Sequence, residues 1–312
     1  KKYVQNRKRV NLELFIARRI AHNGSGNRPG VMVRIAVVAV ALSVTVMILA
    51  LAVIMGFKRE ITDRVTGFSA QVEVADLRSA GSIESVPVLR SEQLERTIRS
   101  AGEVVRLTPY AVKGGVVKTP DAILGVMLKG VDGGYEWSFF RDHLLEGELP
   151  RVGDSIRTKE ILISRSVAQE MGLAPGDKVE MLFVESEKSP RRDRFKVSGI
   201  YATGMDEFDR SVAMTDLRNV QRLADWSSDE VSGYEVTLAD FSQAEDFSRR
   251  LNDMLLDSDR EAFWDLTARS AQERFPTVFD WLKTHDVNAA VILVIMVVVA
   301  VFNMATALLT LV

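Results

Sequence analysis

The stretch Ile35–Phe57 reads IAVVAVALSVTVMILALAVIMGF and contains no charged side chain over 23 residues. A helix of that length, rising about 1.5 Å per residue, covers the roughly 30 Å hydrocarbon core of a bilayer. A signal peptide is the alternative, but its apolar core has roughly 7–15 residues and a small-residue cleavage site follows it. In this chain 34 residues precede the run, and Lys58, Arg59 and Glu60 follow it. The stretch therefore predicts a first transmembrane helix at 35–57.

A second uncharged run begins near Val287 and reads VNAAVILVIMVVVAVFNMATALLTLV up to the last residue. It predicts a second transmembrane helix at 287–312. The chain begins with Lys1 rather than Met, and it ends inside the apolar run. We therefore expect a fragment of a longer protein, with a truncated second span and further helices after Val312.

The segment before the first span is strongly basic. It contains nine Lys or Arg residues and a single acidic residue, Glu13. An excess of Lys and Arg close to a span keeps that side of the chain in the cytoplasm. The sequence therefore predicts a cytoplasmic N-terminal segment, 1–34, and a region outside the cytoplasm, 58–284, in a protein with more than one transmembrane helix.

An apolar stripe also occurs within the basic segment, formed by Leu12, Phe15, Ile16 and Ile20. Such a stripe beside arginines is typical of a helix that lies in the membrane interface. We expect this interfacial helix within 1–34. For residues 1–10, a solvated basic tail that only sets the topology is the alternative.

The region between the spans begins and ends with a strand–helix–strand order. Ser91 and Asp240 each stand where an N-cap is expected, directly before a helical pattern. The expected elements are strands at 70–74, 104–112, 234–238 and 263–267 and helices at 92–100 and 241–256. We therefore predict one α+β subdomain formed by 58–112 and 229–270, followed by a connecting helix at 271–286.

Residues 113–228 are predicted to be a β-rich insertion, because short apolar runs alternate there with Gly-containing turns. One exception is a short helix at 164–171, which Gly172 ends. Strands at 179–185 and 195–201 are joined by the polar segment 186–194, which we predict to be a hairpin tip. Such a tip is usually a solvated loop, but in a protein that hands over cargo it would be a docking element. The docking candidates are Lys188, Pro190, Arg191, Arg192 and Arg194.

The sequence contains no pattern that indicates catalysis or metal binding. The net charge of -2 gives no global bias toward nucleic acid, and without cysteine neither disulfides nor thiolate zinc sites can form. The three histidines lack metal-ligand spacing, and the acidic turn Met205–Asp209 is typical of solvated or backbone-bonded carboxylates. No G-x-x-x-x-G-K-[ST] loop occurs. We predict no catalytic residue, no metal site and no cofactor on this chain, and we expect any energy source to come from another subunit.

The second span has two faces with different residue types. Small and hydrogen-bonding residues three or four apart suit close packing against a neighbouring helix. These packing candidates are Ala300, Asn303, Ala307 and Thr310. The other face could border an apolar cleft for lipid, together with one face of the first span. The cleft candidates are Met47, Leu51, Met55, Met296, Val299 and Phe302.

Motifs along nearly the whole chain follow one recognisable order. The most specific block is Phe195–Tyr201 followed by Gly204–Asp209. The others are Phe15–Arg19, Met55-Gly56-Phe57, Ile161–Ala168, Pro175-Gly176-Asp177, Trp281-Leu282-Lys283 and Val301–Met304. In order and spacing they resemble the lipoprotein-releasing permease family, within the wider FtsX-like and MacB-like permeases. Met55 departs from the pattern, because Asn is common in the family before this Gly-Phe pair.

The resemblance implies a membrane α-helical permease of an ABC transporter with four spans, of which this chain contains two. It also implies an α+β periplasmic domain, in which a porter-like α+β part carries an inserted β-rich part. The implied partners are a cytoplasmic ATPase dimer, which binds ATP and magnesium, and a second permease subunit in a homo- or heterodimer. The implied cargo is lipoproteins, extracted from the inner membrane and passed to a periplasmic chaperone. The segment 185–194 is shorter than the hook with which the family's chaperone-docking subunit holds that chaperone.

Two alternative functions remain open at this point. A MacB-type efflux permease would require a periplasmic adaptor as partner. An FtsX-like regulator of cell-wall hydrolases usually has a smaller external domain than the region between these spans. The identity of the partners distinguishes the three functions.

Overall fold

The computed structural model describes residues 29–79, 85–119, 122–153, 155–185, 188–258 and 261–309. The chain divides into two compact units. We call residues 1–60 with 279–312 the membrane unit, and residues 61–278 the outer unit. The interfacial helix predicted within 1–34 falls almost entirely outside the described residues.

The helices and strands are numbered separately in chain order. The helices are α1 Pro29–Ser69, α2 Glu92–Ser100, α3 Ser138–Asp142, α4 Arg165–Met171, α5 Asp206–Asp209, α6 Leu217–Ala224, α7 Ala244–Leu256, α8 Glu261–Trp264, α9 Ala271–Arg274 and α10 Pro276–Leu309. The strands are β1 Val72–Asp76, β2 Val88–Leu89, β3 Val104–Lys118, β4 Ile123–Val131, β5 Leu144–Gly147, β6 Glu160–Ser164, β7 Lys178–Glu185, β8 Lys188–Tyr201, β9 Val212–Asp216, β10 Glu230–Val231, β11 Gly233–Leu238 and β12 Leu266–Ser270. Short 3-10 turns occur at Leu77–Ser79 and Phe241–Gln243.

Helices α1 and α10 are long and apolar enough to cross a membrane, over Val37–Ser69 and Pro276–Thr306. In the first segment, none of the most apolar stretch is buried. In the second segment, only 6% of the most apolar stretch is buried. A core helix of a soluble protein would instead be mostly covered by its neighbours. Both predicted spans are thus confirmed as helices with exposed apolar surfaces; α1 extends beyond its uncharged run at both ends, and α10 begins before its run, at Pro276.

The outer unit is organised around one ten-stranded sheet. Its strand order is β12-β1-β11-β3-β4-β9-β6-β8-β5, and β7 pairs with both β3 and β8. Most pairs are antiparallel, whereas β4 with β9 and β6 with β8 are parallel. Strand β3 pairs with β11 through its first half and with β7 through its last residues. It therefore runs from the part expected to be α+β into the part expected to be a β-rich insertion, and both contribute to the same sheet.

Helices cover one face of this sheet and form the core with it. Leu94 and Ile98 of α2, Val220 of α6 and Phe247 and Leu251 of α7 are almost fully buried. They belong to one apolar cluster with inward-facing strand residues such as Ala111, Val126 and Leu128. The amphipathic patterns read from these segments are the reason: each helix has one apolar stripe, and the sheet is the surface on which it can be buried.

The predicted helix ends of the outer unit are confirmed by their caps. Ser91 accepts a hydrogen bond from the backbone N–H of Leu94, and α2 follows it. Ser164 caps α4 in the same way, and Gly172 ends it with a positive φ of 63°. Asp240 caps the 3-10 turn that leads into α7.

Two sequence-based expectations are wrong. The strand expected at 263–267 begins only at Leu266, because Glu261–Trp264 forms the short helix α8 and buries Phe263. The loop expected at 186–194 is strand from Lys188 onward, where β8 pairs with β7. The expected connecting segment, 271–286, contains α9 and the first turns of α10, with Phe275 between them.

The sheet leaves no room for a side chain at Gly233. A Cβ built there would lie 2.1 Å from the carbonyl oxygen of Val74 on the neighbouring strand. We predict that Gly233→Ala forces β1 and β11 apart and lowers the free energy of unfolding by about 1–3 kcal/mol. Urea unfolding of the detergent-solubilised chain, followed by circular dichroism, measures this change.

The matched control is Gly125→Ala in β4, where a Cβ would meet no heavy atom of the described residues within 4 Å. This substitution should change the unfolding free energy by no more than about 0.5–1 kcal/mol, and in the stabilising direction. Equal losses for the two variants would contradict the close approach of β1 and β11.

Candidate functional site

An apolar groove of about 240 Å³ lies between the two helices of the membrane unit. Its lining residues are Val40, Ser43, Val44, Met47, Met296, Val297, Ala300, Val301 and Met304. The hydroxyl of Ser43 donates to the carbonyl of Ala39 in its own helix at 2.9 Å. The groove therefore offers hydrocarbon, methionine sulfur and small side chains, and these surfaces suit a lipid chain.

The groove contains only part of the predicted cleft. Met47 and Met296 line it, whereas Leu51 and Met55 do not. Val299 and Phe302 are 50% and 69% exposed and do not line it. Met296, Ala300 and Met304 recur every four residues and so share the helix face that borders the groove. The assignment of Leu51, Met55, Val299 and Phe302 to a lipid cleft stays a prediction.

The four residues predicted to form a packing face on the second span lie in different surroundings. Ala300 lines the groove between α1 and α10, and the predicted packing role of this face stays a prediction. Asn303 is exposed. Thr310 and the side chain of Ala307 lie outside the described residues.

Charged and aromatic residues meet at one end of the helix pair in the membrane unit. Lys58 Nζ lies 2.5 Å from Asp286 Oδ2, with both side chains about half exposed. Phe57 and Trp281 pack edge to face, with ring centroids 5.6 Å apart, and Trp281 also contacts His285. Tryptophan and paired charges are typical of the level at which a spanning helix leaves the hydrocarbon.

The outer unit contains a cavity of about 510 Å³ whose wall carries a cluster of buried ions. Lys129 Nζ donates to Glu235 Oε1 at 2.5 Å, and each side chain is only 8% exposed. Glu73 accepts from the hydroxyl of Tyr110 at 2.5 Å and from Arg274 Nε at 3.0 Å. We call Glu73, Tyr110, Lys129, Arg269, Glu235 and Arg274 the ion cluster. All six project from strands β1, β3, β4, β11 and β12 or from α9.

Electrostatics favour the ionised form of Glu73. Burial alone would raise its pKa, but the charge of Arg274, the hydrogen bond from Tyr110 and the charge of Arg269 outweigh burial and lower it. Burial, and then the carboxylate of Glu73, raise the pKa of Tyr110 well above its ordinary value. Tyr110 therefore stays protonated, and its hydroxyl donates a hydrogen bond to Glu73.

The ion cluster also binds the C-terminal end of α1. Arg274 Nη1 donates to the carbonyl of Ser69 at 2.7 Å, and Lys129 Nζ lies 3.5 Å from the carbonyl of Phe68. Ala70, directly after the helix, has a positive φ of 60°. Two cations thus satisfy carbonyl groups that a helix end leaves without partners.

Sequence reasoning missed the ion cluster. A signal for it exists, because Glu73, Lys129 and Glu235 each interrupt a run of apolar strand residues. Which of them pair is not visible along the chain, since Lys129 and Glu235 lie 106 positions apart.

The predicted hairpin tip is largely the strand pair β7–β8. Arg192 and Arg194 are exposed, lie 3.7 and 3.5 Å from Glu180, and so share one carboxylate. Arg191 forms an ion pair with Asp225. Pro190 is exposed on β8, and the side chain of Lys188 is outside the described residues. Whether these five residues dock a chaperone stays a prediction.

Asp193 explains why β8 begins earlier than expected. It lies between the arginines in sequence but is 7% exposed, and it pairs with Lys159 and Arg222. Side chains therefore alternate between the two faces of the sheet at Arg192, Asp193 and Arg194, as expected in a strand, although all three are charged.

In the acidic turn Met205–Asp209, the last carboxylate is hydrogen-bonded mainly to neighbouring backbone groups. Asp209 accepts from the N–H groups of Thr203 and Gly204 and from the Thr203 hydroxyl, at 2.9–3.1 Å. Within the described part of the chain, no group of three His, Asp or Glu side chains could hold a metal ion.

Comparison with known proteins identifies the kind of domain. The family model of the MacB-like periplasmic core domain matches residues 35–254. The lipoprotein-releasing system transmembrane protein LolC of Xylella fastidiosa (strain 9a5c) is 26% identical over 271 residues, which are 82% of this chain and 59% of that protein. LolC of Neisseria meningitidis serogroup B is 24% identical over 266 residues, 83% of this chain and 60% of its own length. The chain thus spans about three fifths of the length of the curated relatives it matches.

A solved structure is similar to this chain at low identity. The periplasmic region of MacB from Actinobacillus actinomycetemcomitans is 14% identical, with a TM-score of 0.44, and covers 67% of this chain and 92% of its own. The assignment therefore rests on the sequence match over residues 35–254. With its two candidate membrane helices and mixed α/β outer unit, the chain belongs to the family that carries the MacB-like periplasmic core domain.

Proposed function

We propose that this chain is a permease subunit of an ABC transporter that extracts lipoproteins from the inner membrane and passes them to a periplasmic carrier. A partner ATPase dimer, which binds ATP and magnesium, drives the cycle. A second permease subunit completes the membrane part, and this chain neither hydrolyses ATP nor binds a cofactor itself. The N-terminal segment 1–34 is cytoplasmic because of its positive charge.

The apolar groove between α1 and α10 is the observation that carries this proposal. Each CH₂ group of a lipid anchor costs about 0.8 kcal/mol when it is moved from hydrocarbon into water. A lipoprotein with several acyl chains therefore cannot leave the bilayer at a useful rate without a sheltered apolar path. Met47, Met296 and Ala300 offer such a path within a pair of helices, and the named relatives are lipoprotein-releasing proteins.

The ion cluster supports a coupling role for the outer unit. Arg274 and Lys129 bond the last carbonyls of α1, and the same two cations hold Glu73 and Glu235 on the sheet. A displacement of that helix end would therefore be transmitted to β1, β4 and β11. In this proposal, the ATPase-driven movement of α1 reaches the outer unit through these contacts.

A MacB-type efflux permease is the second candidate, because the matched family model is named for that protein. It would bind a periplasmic adaptor and export periplasmic substrates rather than lipoproteins. An FtsX-like regulator of cell-wall hydrolases is the third candidate, which no observation on the structure favours.

Closing the groove should block lipoprotein release. Ala300→Trp places an indole ring in a space of about 240 Å³ and is expected to reduce release at least roughly tenfold, because the acyl path is filled. The measurement is complementation: the native chain is depleted, each variant is expressed, and lipoproteins retained in the inner membrane are quantified.

Ile295→Trp is the matched control, since Ile295 does not line the groove and is 57% exposed on the same helix. It should release lipoproteins like the native chain and co-purify with the same ATPase. If depletion leaves lipoprotein sorting unchanged, lipoprotein release is not the function. If Ala300→Trp releases lipoproteins normally, the groove is not the path.

Breaking the buried ion pair should destabilise the outer unit. Lys129→Ala leaves the carboxylate of Glu235 buried without its cation, and we expect a loss of about 3–5 kcal/mol in the free energy of unfolding. Urea unfolding in detergent measures it.

The double variant Lys129→Met with Glu235→Leu is the control, because it removes both charges at similar volume. It should recover most of the stability yet release lipoproteins more slowly, since Lys129 no longer contacts the end of α1. Native stability of Lys129→Ala, or native release by the double variant, would contradict the coupling role.

A further inference from the structure

Within the described residues, one face of the sheet is open where β3, β4, β7 and β8 lie side by side. On the opposite face, Val117, Val126, Met181 and Phe183 are buried in the core. Because side chains alternate along a strand, the residues between them project from the open face. There, Ile123 and Val184 are 67% and 56% exposed.

The strand register places the open-face residues in rows about 4.8 Å apart from strand to strand. One row consists of Gly125, Val116, Leu182 and Arg192. The next row consists of Ile123, Lys118, Glu180 and Arg194. A third pair, Lys178 and Lys196, continues on β7 and β8. Each row thus runs from apolar or small residues on β4 to basic residues on β8.

The apolar ends of these rows form a groove of about 440 Å³. We call it the Gly125 groove, formed by Gly114, Val116, Gly125, Met127, Leu182 and Val184. Glycine makes its floor: a Cβ at Gly125 would project into space with no heavy atom of the described residues within 4 Å. Exposed apolar concavities of this size are typical of ligand sites.

Positive charge dominates the rim of the groove. The rows carry five cations, Lys118, Lys178, Arg192, Arg194 and Lys196, and one carboxylate, Glu180; a second carboxylate, Glu160 of β6, lies beside Lys196. Glu180 is shared by Arg192 and Arg194 and therefore neutralises only one of them. A ligand complementary to this surface has a thin apolar part for the groove and an anionic part for the rim.

We propose that the Gly125 groove binds one anionic phospholipid, with an acyl chain along Val116, Gly125 and Leu182 and the phosphate against Lys118, Arg192 and Arg194. The apolar, glycine-floored groove suits a hydrocarbon chain, and the cations lie on the same rows as its walls. This binding does not depend on lipoproteins being the cargo. It gives the outer unit a lipid contact of its own, separate from the groove between α1 and α10.

A single-cysteine label can report on this site alone, because the chain contains no cysteine. The full chain carrying Val184→Cys is labelled with a trifluoromethyl group and kept in detergent. Its fluorine NMR signal is followed while short-chain dioctanoyl phosphatidylglycerol or dioctanoyl phosphatidylcholine is added. We expect a saturable shift with the anionic lipid and roughly tenfold weaker binding of the zwitterionic lipid.

Two changes in the same labelled chain test the two halves of the site. Gly125→Phe fills the groove and should abolish the saturable shift, whereas Val105→Phe, a bulky change at an exposed position outside the groove, should not. Arg192→Gln with Arg194→Gln should weaken phosphatidylglycerol binding roughly 10- to 30-fold. If Gly125→Phe fails to give a native circular dichroism spectrum, the arginine variant decides.

Three results would overturn the proposal. They are equal binding of the two lipids, a shift that survives the arginine substitutions, and a label that responds to an acidic protein of the periplasm but to neither lipid. The last result would make this surface a protein-docking face. None of the three changes the outcome of the lipoprotein-release assay, which depends on the other groove.

Discussion

The structure depends on one constraint, which is that uncharged helices need hydrocarbon around them. The apolar stretches of α1 and α10 expose side chains such as Ile35, Leu42 and Ile48 at 60% or more. In water that surface would cost several tens of kcal/mol at about 25 cal/mol per Å², and no other part of the described chain covers it. A bilayer removes this cost. The basic segment 1–34 and the pair formed by Lys58 and Asp286 then mark the places where the chain leaves the hydrocarbon.

The outer unit is under the opposite constraint, because charged side chains lie buried within it. Lys129 and Glu235 are almost fully buried, and so is most of Glu73. Such ions are tolerated because each has a partner of opposite sign, and Lys129 and Glu73 also hydrogen-bond Phe68 and Tyr110. The same cations bind the end of α1, so the contacts that neutralise the sheet also hold a helix that begins in the membrane unit. In the proposed function, stability and coupling therefore depend on the same side chains.

The sequence predicts the features that depend on local pattern. Both spans follow from uncharged runs, and the starts of α2 and of the turn before α7 follow from Ser91 and Asp240, because capping needs only neighbours in the chain. The strand start at Lys188 could not be predicted, since Asp193 is acceptable inside only because Lys159 and Arg222 reach it from other elements. Phe263 was misassigned because a four-residue helix and a strand have no distinct apolar period.

For the site, the sequence predicts the kind of surface but not its position. Two of the six cleft candidates, Met47 and Met296, line the groove between the helices. The others do not, because the rotation of one helix against another is determined by packing and not by the apolar content of either. The ion cluster and the Gly125 groove both arise from pairing between distant strands, which no spacing along the chain reveals.

The central claim is that the two helices span the inner membrane and hold the outer unit on its periplasmic side. Since the chain has no cysteine, it can be tested with two single-cysteine variants: Ile156→Cys, at a position 78% exposed in the outer unit, and Ser25→Cys, in the basic segment. Cells with a permeabilised outer membrane are treated with a membrane-impermeant maleimide, before and after lysis of the inner membrane. The account predicts that Ile156→Cys is labelled before lysis and Ser25→Cys only after it. The reverse pattern, or recovery of the unlabelled chain in the soluble fraction without detergent, would contradict the account.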